Sequence, residues 1–181
     1  LAHKLTTMDL APAKIDIGKL AYEYNAEKSQ HKNIEAFLNE KIGFITNSTD
    51  KSQKSKDVVL FGFGRIGRLC ARELIKQAGK GQQLRLKAIV VRRLTDAQII
   101  KRAALLRNDS VHGSFKGVVE VDLTNQAIVV NGQVIKFLDG GNPEDIDYTL
   151  HGINNALLID NTGAFTDKEA LSRHLKSKGV N

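Results

Sequence analysis

Apolar residues recur at helical spacing twice before residue 46. In IDIGKLAYEYN, Ile17, Leu20, Ala21 and Tyr24 share a face, and in NIEAFLNEKIGFI so do Ile34, Phe37, Leu38 and Ile42. Asn33 is placed to cap the second helix and Gly43 to end it. The polar run TNSTDKSQKSKD, residues 46–57, then reads as a linker. From Asp57 the period changes. DVVLF is a short continuous apolar run, as in a strand buried on both faces of a parallel sheet. Ile66, Leu69, Cys70, Leu74 and Ile75 mark a helix that ends near Gly79-Lys80-Gly81. LRLKAIVV (84–91) is a second strand, and Ala97 to Leu106 returns to helical spacing. Strand, glycine turn, helix, strand is a βαβ unit.

Two alternating strands come next, GVVEVDL and AIVVNGQVIKF, the latter broken by Asn131-Gly132 as a two-residue hairpin turn. NALLIDNTG reads as another buried strand, and residues 166–178 as a last helix. Thr166 is its expected N-cap, with Glu169 at capping-box spacing. The pattern predicts an α/β chain: a helical extension over 1–46, a polar linker over 47–56, and over 57–181 a Rossmann-type domain, its mostly parallel sheet carrying an inserted β-hairpin.

Composition narrows the class. The chain has 181 residues, 41% hydrophobic and 26% charged, globular values. No apolar run approaches the ~20 residues of a membrane span, and the opening LAHKLTTMDL lacks a secretory signal's apolar core. The single cysteine allows no internal disulfide and no cysteine-based metal cluster, so a reducing, cytoplasmic compartment is expected. The net charge of +7 is unevenly spread: every arginine falls after residue 56. A basic, arginine-bearing domain suits a phosphate-containing partner, although ordinary solubility charge also accounts for it.

Gly62-Phe63-Gly64-Arg65-Ile66-Gly67 fits G-x-G-x-x-G between a strand and a helix. Gly62 permits the tight turn, Gly64 lets the backbone approach a pyrophosphate, and Gly67 lets the helix pack closely on the sheet. The helix head offers free N–H groups to the phosphates. The plainer alternative is a tight strand–helix turn with no ligand.

FGFGRIGR, DSVHGSFKG (109–117), the Asn-Gly hairpin and DNTGAFTDKEAL (160–171) succeed one another in an order and spacing that resemble the N-terminal half of phosphorylating glyceraldehyde-3-phosphate dehydrogenase. That family's usual strings are similar to NGFGRIGR, YDSTHGRF and ESTGVFT. The resemblance covers residues 57–181; the extension before it is similar to a longer bacterial branch. It implies a glycolytic or gluconeogenic oxidoreductase with a dinucleotide cofactor and a homo-oligomeric whole enzyme. Arg65 and Ile66 would meet the pyrophosphate through their backbone. Thr162 and Gly163 would lie beside the ribose and nicotinamide, and Phe165 near the adenine. Phe61 departs from the family's usual Asn. Gly141 stands near a position where many members carry a basic residue. The family's catalytic cysteine and histidine belong after Asn181, so no catalytic residue is expected in this chain, which is expected to be inactive without a catalytic domain. In the whole enzyme a thiolate attacks the aldehyde, hydride passes to the nicotinamide, and phosphate releases 1,3-bisphosphoglycerate.

The cofactor itself is read from the second strand. Where NAD-preferring folds place an acidic residue, this strand ends Val90-Val91-Arg92-Arg93. Arg93, or Arg92, could pair with a 2′-phosphate, so NADP is expected to be accepted beside NAD. The alternative is a solvated charge pair, with Asp96 as ribose partner. Cys70 is expected to pack in the core and His112 to stabilise a loop, while His151 and His174 show no arrangement suggesting a metal site. Other readings stay open: a non-enzymatic nucleotide-binding or interaction module, or the cofactor half of an erythrose-4-phosphate dehydrogenase. Low aromatic content, 6%, argues against nucleic-acid stacking.

Overall fold

The computed structural model describes residues 1–11, 13, 15–46, 55–78 and 84–181. Of the linker expected over 47–56, residues 47–54 lie outside the described residues, as does the helix end at Gly79-Lys80-Gly81, while Lys56 already belongs to the first strand. The chain divides into two compact units, one holding Leu1–Lys54 and the other Ser55–Gln77 with Gln83–Asn181.

In the first unit, α1 (Ala2–Thr7), α2 (Ile17–Glu27) and α3 (Ile34–Ile42) close around Leu5, Leu20, Phe37, Leu38 and Ile42. Asp16 caps α2 by accepting from the Lys19 N–H, and Asn33 caps α3 by accepting from the Ala36 N–H. The expected stop at Gly43 is softer than predicted. Gly43 keeps right-handed backbone, and the chain tightens into a 3-10 turn over Gly43–Ile45. Tyr24 and His31 both pack on the Phe37 ring, with centroids 5.2 Å away. Lys41 pairs with Glu27 at 3.0 Å.

The second unit is built on strands β1 (Lys56–Phe61) and β2 (Leu84–Val91), a short pair β3 (Asn108–Asp109) and β4 (Gly113–Ser114), then β5 (Val119–Asp122), β6 (Ala127–Val130), β7 (Gln133–Asp139) and β8 (Leu157–Asp160). Its helices are α4 (Arg65–Gln77), α5 (Asp96–Arg107) and α6 (Lys168–Ser172). The main sheet runs β5-β6-β7-β2-β1-β8. β7, β2, β1 and β8 are parallel; β5 and β6 extend the sheet as an antiparallel hairpin. The β6–β7 turn has both Asn131 and Gly132 at positive φ, as a type I′ turn requires.

β1 alternates between the two faces. Val58 and Leu60 pack with Ala71 and Ile75 of α4 and Ile99, Ala103 and Leu106 of α5. Val59 and Phe61 pack on the opposite face with Val90, Leu138 and Tyr148. Both sets are buried because helices or turns cover both faces, and this is why DVVLF carries no polar alternation.

Three expectations are corrected here. β8 is an edge strand with half-buried residues, since only β1 flanks it. The last helix is α6 followed by a 3-10 turn over Arg173–Lys176, and Asp167 rather than Thr166 caps it by accepting from the Ala170 N–H. On α4 the buried stripe is Gly67, Ala71 and Ile75, spaced four apart, which leaves Ile66 61% exposed at the helix head.

Candidate functional site

The parallel strands β7-β2-β1-β8 run outward from β1 in both directions of the sheet, so the order reverses between β1 and β8. In open α/β sheets ligands bind at such a reversal, outside the carboxyl ends of the strands. A cleft of about 210 Å³ opens there, lined by Gly62, Phe63 and Gly64 after β1, Val91 and Arg92 of the β2 end, and Thr162 after β8. Larger grooves of about 610 and 560 Å³ lie elsewhere. Neither sits at the reversal, so size does not choose the site.

The three glycines perform distinct tasks. Gly62 has φ +95°, and a methyl group on it would come 2.8 Å from the Thr162 methyl carbon. A methyl group on Gly67 would lie 2.5 Å from the Gly62 carbonyl oxygen, so α4 can approach the sheet only without a side chain there. Gly64 has open space where its side chain would be. The first bond at the head of α4 runs from the Arg68 N–H to the Gly64 carbonyl at 3.0 Å. The N–H groups of Arg65, Ile66 and Gly67 precede it at the helix head beside the cleft.

The other wall is a turn held by side chains. One oxygen of Asp160 accepts from both the N–H and the hydroxyl of Thr162, at 2.7 Å each, and the Thr162 oxygen accepts from the Ala164 N–H at 3.1 Å. The second Asp160 oxygen accepts from His174 Nε2 at 2.8 Å, with only 6% and 9% of the two side chains exposed. The carboxylate partner of His174 is thus Asp160, fourteen residues earlier in the chain. No periodic pattern relates the two. The His174 ring also packs edge-on against Phe61 and Phe165, at centroid distances of 4.7 and 5.3 Å. Phe61 thus fills space beneath this turn. Gly163, at φ +66°, comes after Thr162 around the bend; Phe165 lies on the Phe61–His174 side rather than among the residues lining the cleft.

Of the two strand-end arginines, Arg92 lines the cleft and Arg93 does not. Arg93 takes φ +54°, and the N–H groups of Arg93 and Leu94 both donate to the Asp139 carboxylate at the tip of β7. Many of the remaining arginines hold the fold. Arg72 donates to the carbonyls of Leu106 and Gly113, Arg107 to that of Val119, and Arg173 forks onto Glu144. Arg68 meets the buried Asp109 at 3.2 Å. The Asp109 carboxyl is held well below the usual carboxylate range, first by the His112 N–H, then by that of Val111 and by the His112 side chain. His112 is a loop-stabilising residue in this geometry. Cys70 packs against the sheet core.

Arg102 was not anticipated. It lies on the core-facing side of α5, between Ile99 and Leu106, and extends to the cleft, where it donates to the Phe63 carbonyl at a long 3.4 Å. The signal was present in the sequence as a charge at apolar phase, but only the sheet says where its stem leads. Among the described residues no His, Cys, Asp or Glu cluster is arranged to hold a metal, and no helix is long and apolar enough to cross a membrane.

A parallel sheet with this strand order, a glycine turn and an open phosphate-sized approach at Gly64 defines a Rossmann-type dinucleotide-binding domain. Sequence comparison then narrows the class. The glyceraldehyde 3-phosphate dehydrogenase, NAD binding domain family matches residues 56–168, and the chain belongs to that family. It is 43% identical over 177 residues to a glyceraldehyde-3-phosphate dehydrogenase-like protein of Pseudomonas aeruginosa, a match covering 97% of this chain and 38% of that protein. It is 34% identical over 120 residues to the glyceraldehyde-3-phosphate dehydrogenase of Clostridium pasteurianum and 36% identical over 119 to that of Lactococcus lactis. Each of those matches covers 66% of this chain and 32% of the relative. The chain thus spans only about a third of the length of these relatives, between 32% and 38%. The Pseudomonas match, at 97% of this chain, includes nearly all of the helical unit.

Proposed function

We propose that this chain is the cofactor-binding part of an enzyme that oxidatively phosphorylates glyceraldehyde 3-phosphate to 1,3-bisphosphoglycerate, with the reacting thiol and its histidine partner supplied outside residues 1–181. The observation that carries this reading is the cleft at the strand-order reversal, open at Gly64 and faced by the head of α4. Those residues fit a dinucleotide: a pyrophosphate needs a close backbone approach, and the free N–H groups of Arg65 and Ile66 supply donors with no side chain in the way. Thr162 and Gly163 would border the ribose on the nicotinamide side, held by Asp160. Phe165 would act from behind the turn.

When bound, the dinucleotide supplies the hydride acceptor. The chain's own work is to orient it, neutralise its phosphates and hold the turn at Thr162 in place. Arg92, which lines the cleft where an NAD-selective fold has a carboxylate, supports acceptance of NADP alongside NAD; Arg93, next along the chain, would contribute at longer range. Residues 1–46 would form a separate helical extension and 57–181 the cofactor domain. The whole enzyme would be a soluble, cytoplasmic homo-oligomer.

Calorimetric titration of the purified chain with NADPH and NADH tests the reading. Saturable one-to-one binding, tighter for NADPH, is the expected result. Equal affinities would discard the 2′-phosphate role of Arg92 but keep the cofactor domain. Binding of neither would overturn the proposal in favour of a non-enzymatic interaction module.

A further inference from the structure

Arg102 is a cation without an anion. Its Nε is buried with no partner, and among the described residues no carboxylate lies within ion-pairing distance of its guanidinium. Neighbouring acids are already engaged. Asp109 accepts from Arg68, His112 and two backbone N–H groups, and Asp139 accepts from the N–H groups of Arg93 and Leu94. Asp96, the sequence candidate for a ribose acceptor, does not line the cleft. Burial and the nearby Arg68 both work against the Arg102 charge, pushing its pKa down. A guanidinium kept in such a place, on a helix face otherwise given to Ile99, Ala103 and Leu106, is costly unless a ligand supplies the missing negative charge.

We propose that Arg102, which lines the same cleft as Arg92 but comes from α5, is a specificity-determining residue that pairs with the 2′-phosphate of an adenosine dinucleotide. This rests on the cofactor-binding reading above and adds a second cation to the site. Two guanidiniums from different elements can grip a dianionic phosphate from two sides, which a lone strand-end arginine cannot do. The Phe63 carbonyl steers one Arg102 N–H group and leaves the other terminal guanidinium donors for the ligand.

The test is calorimetric titration of the full chain with NADPH and with NADH, for wild type, Arg102→Gln and Arg102→Lys, at one ionic strength. Loss of a charge-assisted contact predicts that Arg102→Gln weakens NADPH binding by about tenfold to a hundredfold. NADH binding should change by less than about twofold, and Arg102→Lys, which keeps the charge but not the planar fork, should recover only part of the NADPH affinity. Arg102→Met, which keeps an apolar stem on the core face, serves as the second variant should glutamine disturb folding. Unchanged NADPH affinity, or an equal loss for both cofactors, overturns the assignment while leaving the cofactor domain standing. A folded wild type that binds neither cofactor overturns the cofactor-binding reading itself, and this assignment with it.

Discussion

The two turns that flank the cleft are built by opposite means. After β1 the backbone turns through glycines, and what holds the turn is the absence of side chains: Gly67 sits where a methyl group would meet the Gly62 carbonyl. After β8 the turn is held by side chains, with Asp160 binding Thr162 on one oxygen and His174 on the other. The first wall depends on residues within one short motif. The second depends on a histidine fourteen positions away, delivered by α6 and its 3-10 extension. A backbone-built wall tolerates no added atom, whereas a side-chain-built wall should lose stability in proportion to the bonds removed and should couple distant residues.

Substituting Gly67→Ala is the most severe way to break this contrast. Overpacking costs about 1–3 kcal/mol, and the upper end is expected because the clash is with a backbone carbonyl. Urea denaturation should show a lower midpoint, and cofactor binding should disappear. A variant of wild-type stability would mean that α4 is free to shift and that the wall is not backbone-limited.

Next in size is the Asp160–His174 pair. Leaving one buried partner unsatisfied costs about 1–3 kcal/mol, so Asp160→Asn and His174→Gln should each destabilise. The double variant should lose less than the sum, with a coupling of about 0.5–3 kcal/mol. Strict additivity in a chemical denaturation cycle would show that the pair does not brace the turn after β8.

The correction at α6 gives a finer test of how His174 is delivered. Asp167→Ala should cost about 1 kcal/mol, the usual value of an N-cap, and Thr166→Ala close to nothing. Thermal unfolding of the two variants would distinguish them, and the reverse order would restore Thr166 as the cap.

The smallest effect is expected at Tyr148, buried on the face shared with Phe61 and with a hydroxyl that has no partner among the described residues. Tyr148→Phe should leave stability within about 0.5 kcal/mol of wild type or raise it, because no hydrogen bond is lost. A loss above about 1 kcal/mol in the same denaturation assay would show that the hydroxyl is satisfied and that the polar scaffold extends deeper than the turn after β8.

Much of the fold was legible because its signals are local. The continuous apolar run of β1, the apolar end of β2 from Ala88 to Val91, the glycine spacing and the Asn131-Gly132 hairpin each act within a few residues and survive in the tertiary structure. Errors arose where neighbours in space decide. NALLIDNTG carries a buried-strand pattern yet lies at a sheet edge, since strand order is not written in hydropathy. Ile66 satisfies helical spacing with Leu69 and Cys70, but Gly67 fixes which stripe faces the sheet. Thr166 and Asp167 are both competent caps, and the path of the chain out of the β8 turn selects the second.

The order of residues was enough to specify the βαβ framework and the phosphate-ready glycine turn, because both arise from short-range steric and hydrophobic rules. Which charges remain uncommitted was settled only by folding. The folded chain uses Arg68, Arg72, Arg107 and Arg173 to hold itself together, joins His174 to Asp160, engages Asp139 with the backbone N–H groups of Arg93 and Leu94, and leaves Arg92 and Arg102 lining the cleft. The physical reason is that hydrogen bonds and ion pairs form between groups within a few ångströms, and in this fold most of those groups are far apart along the chain.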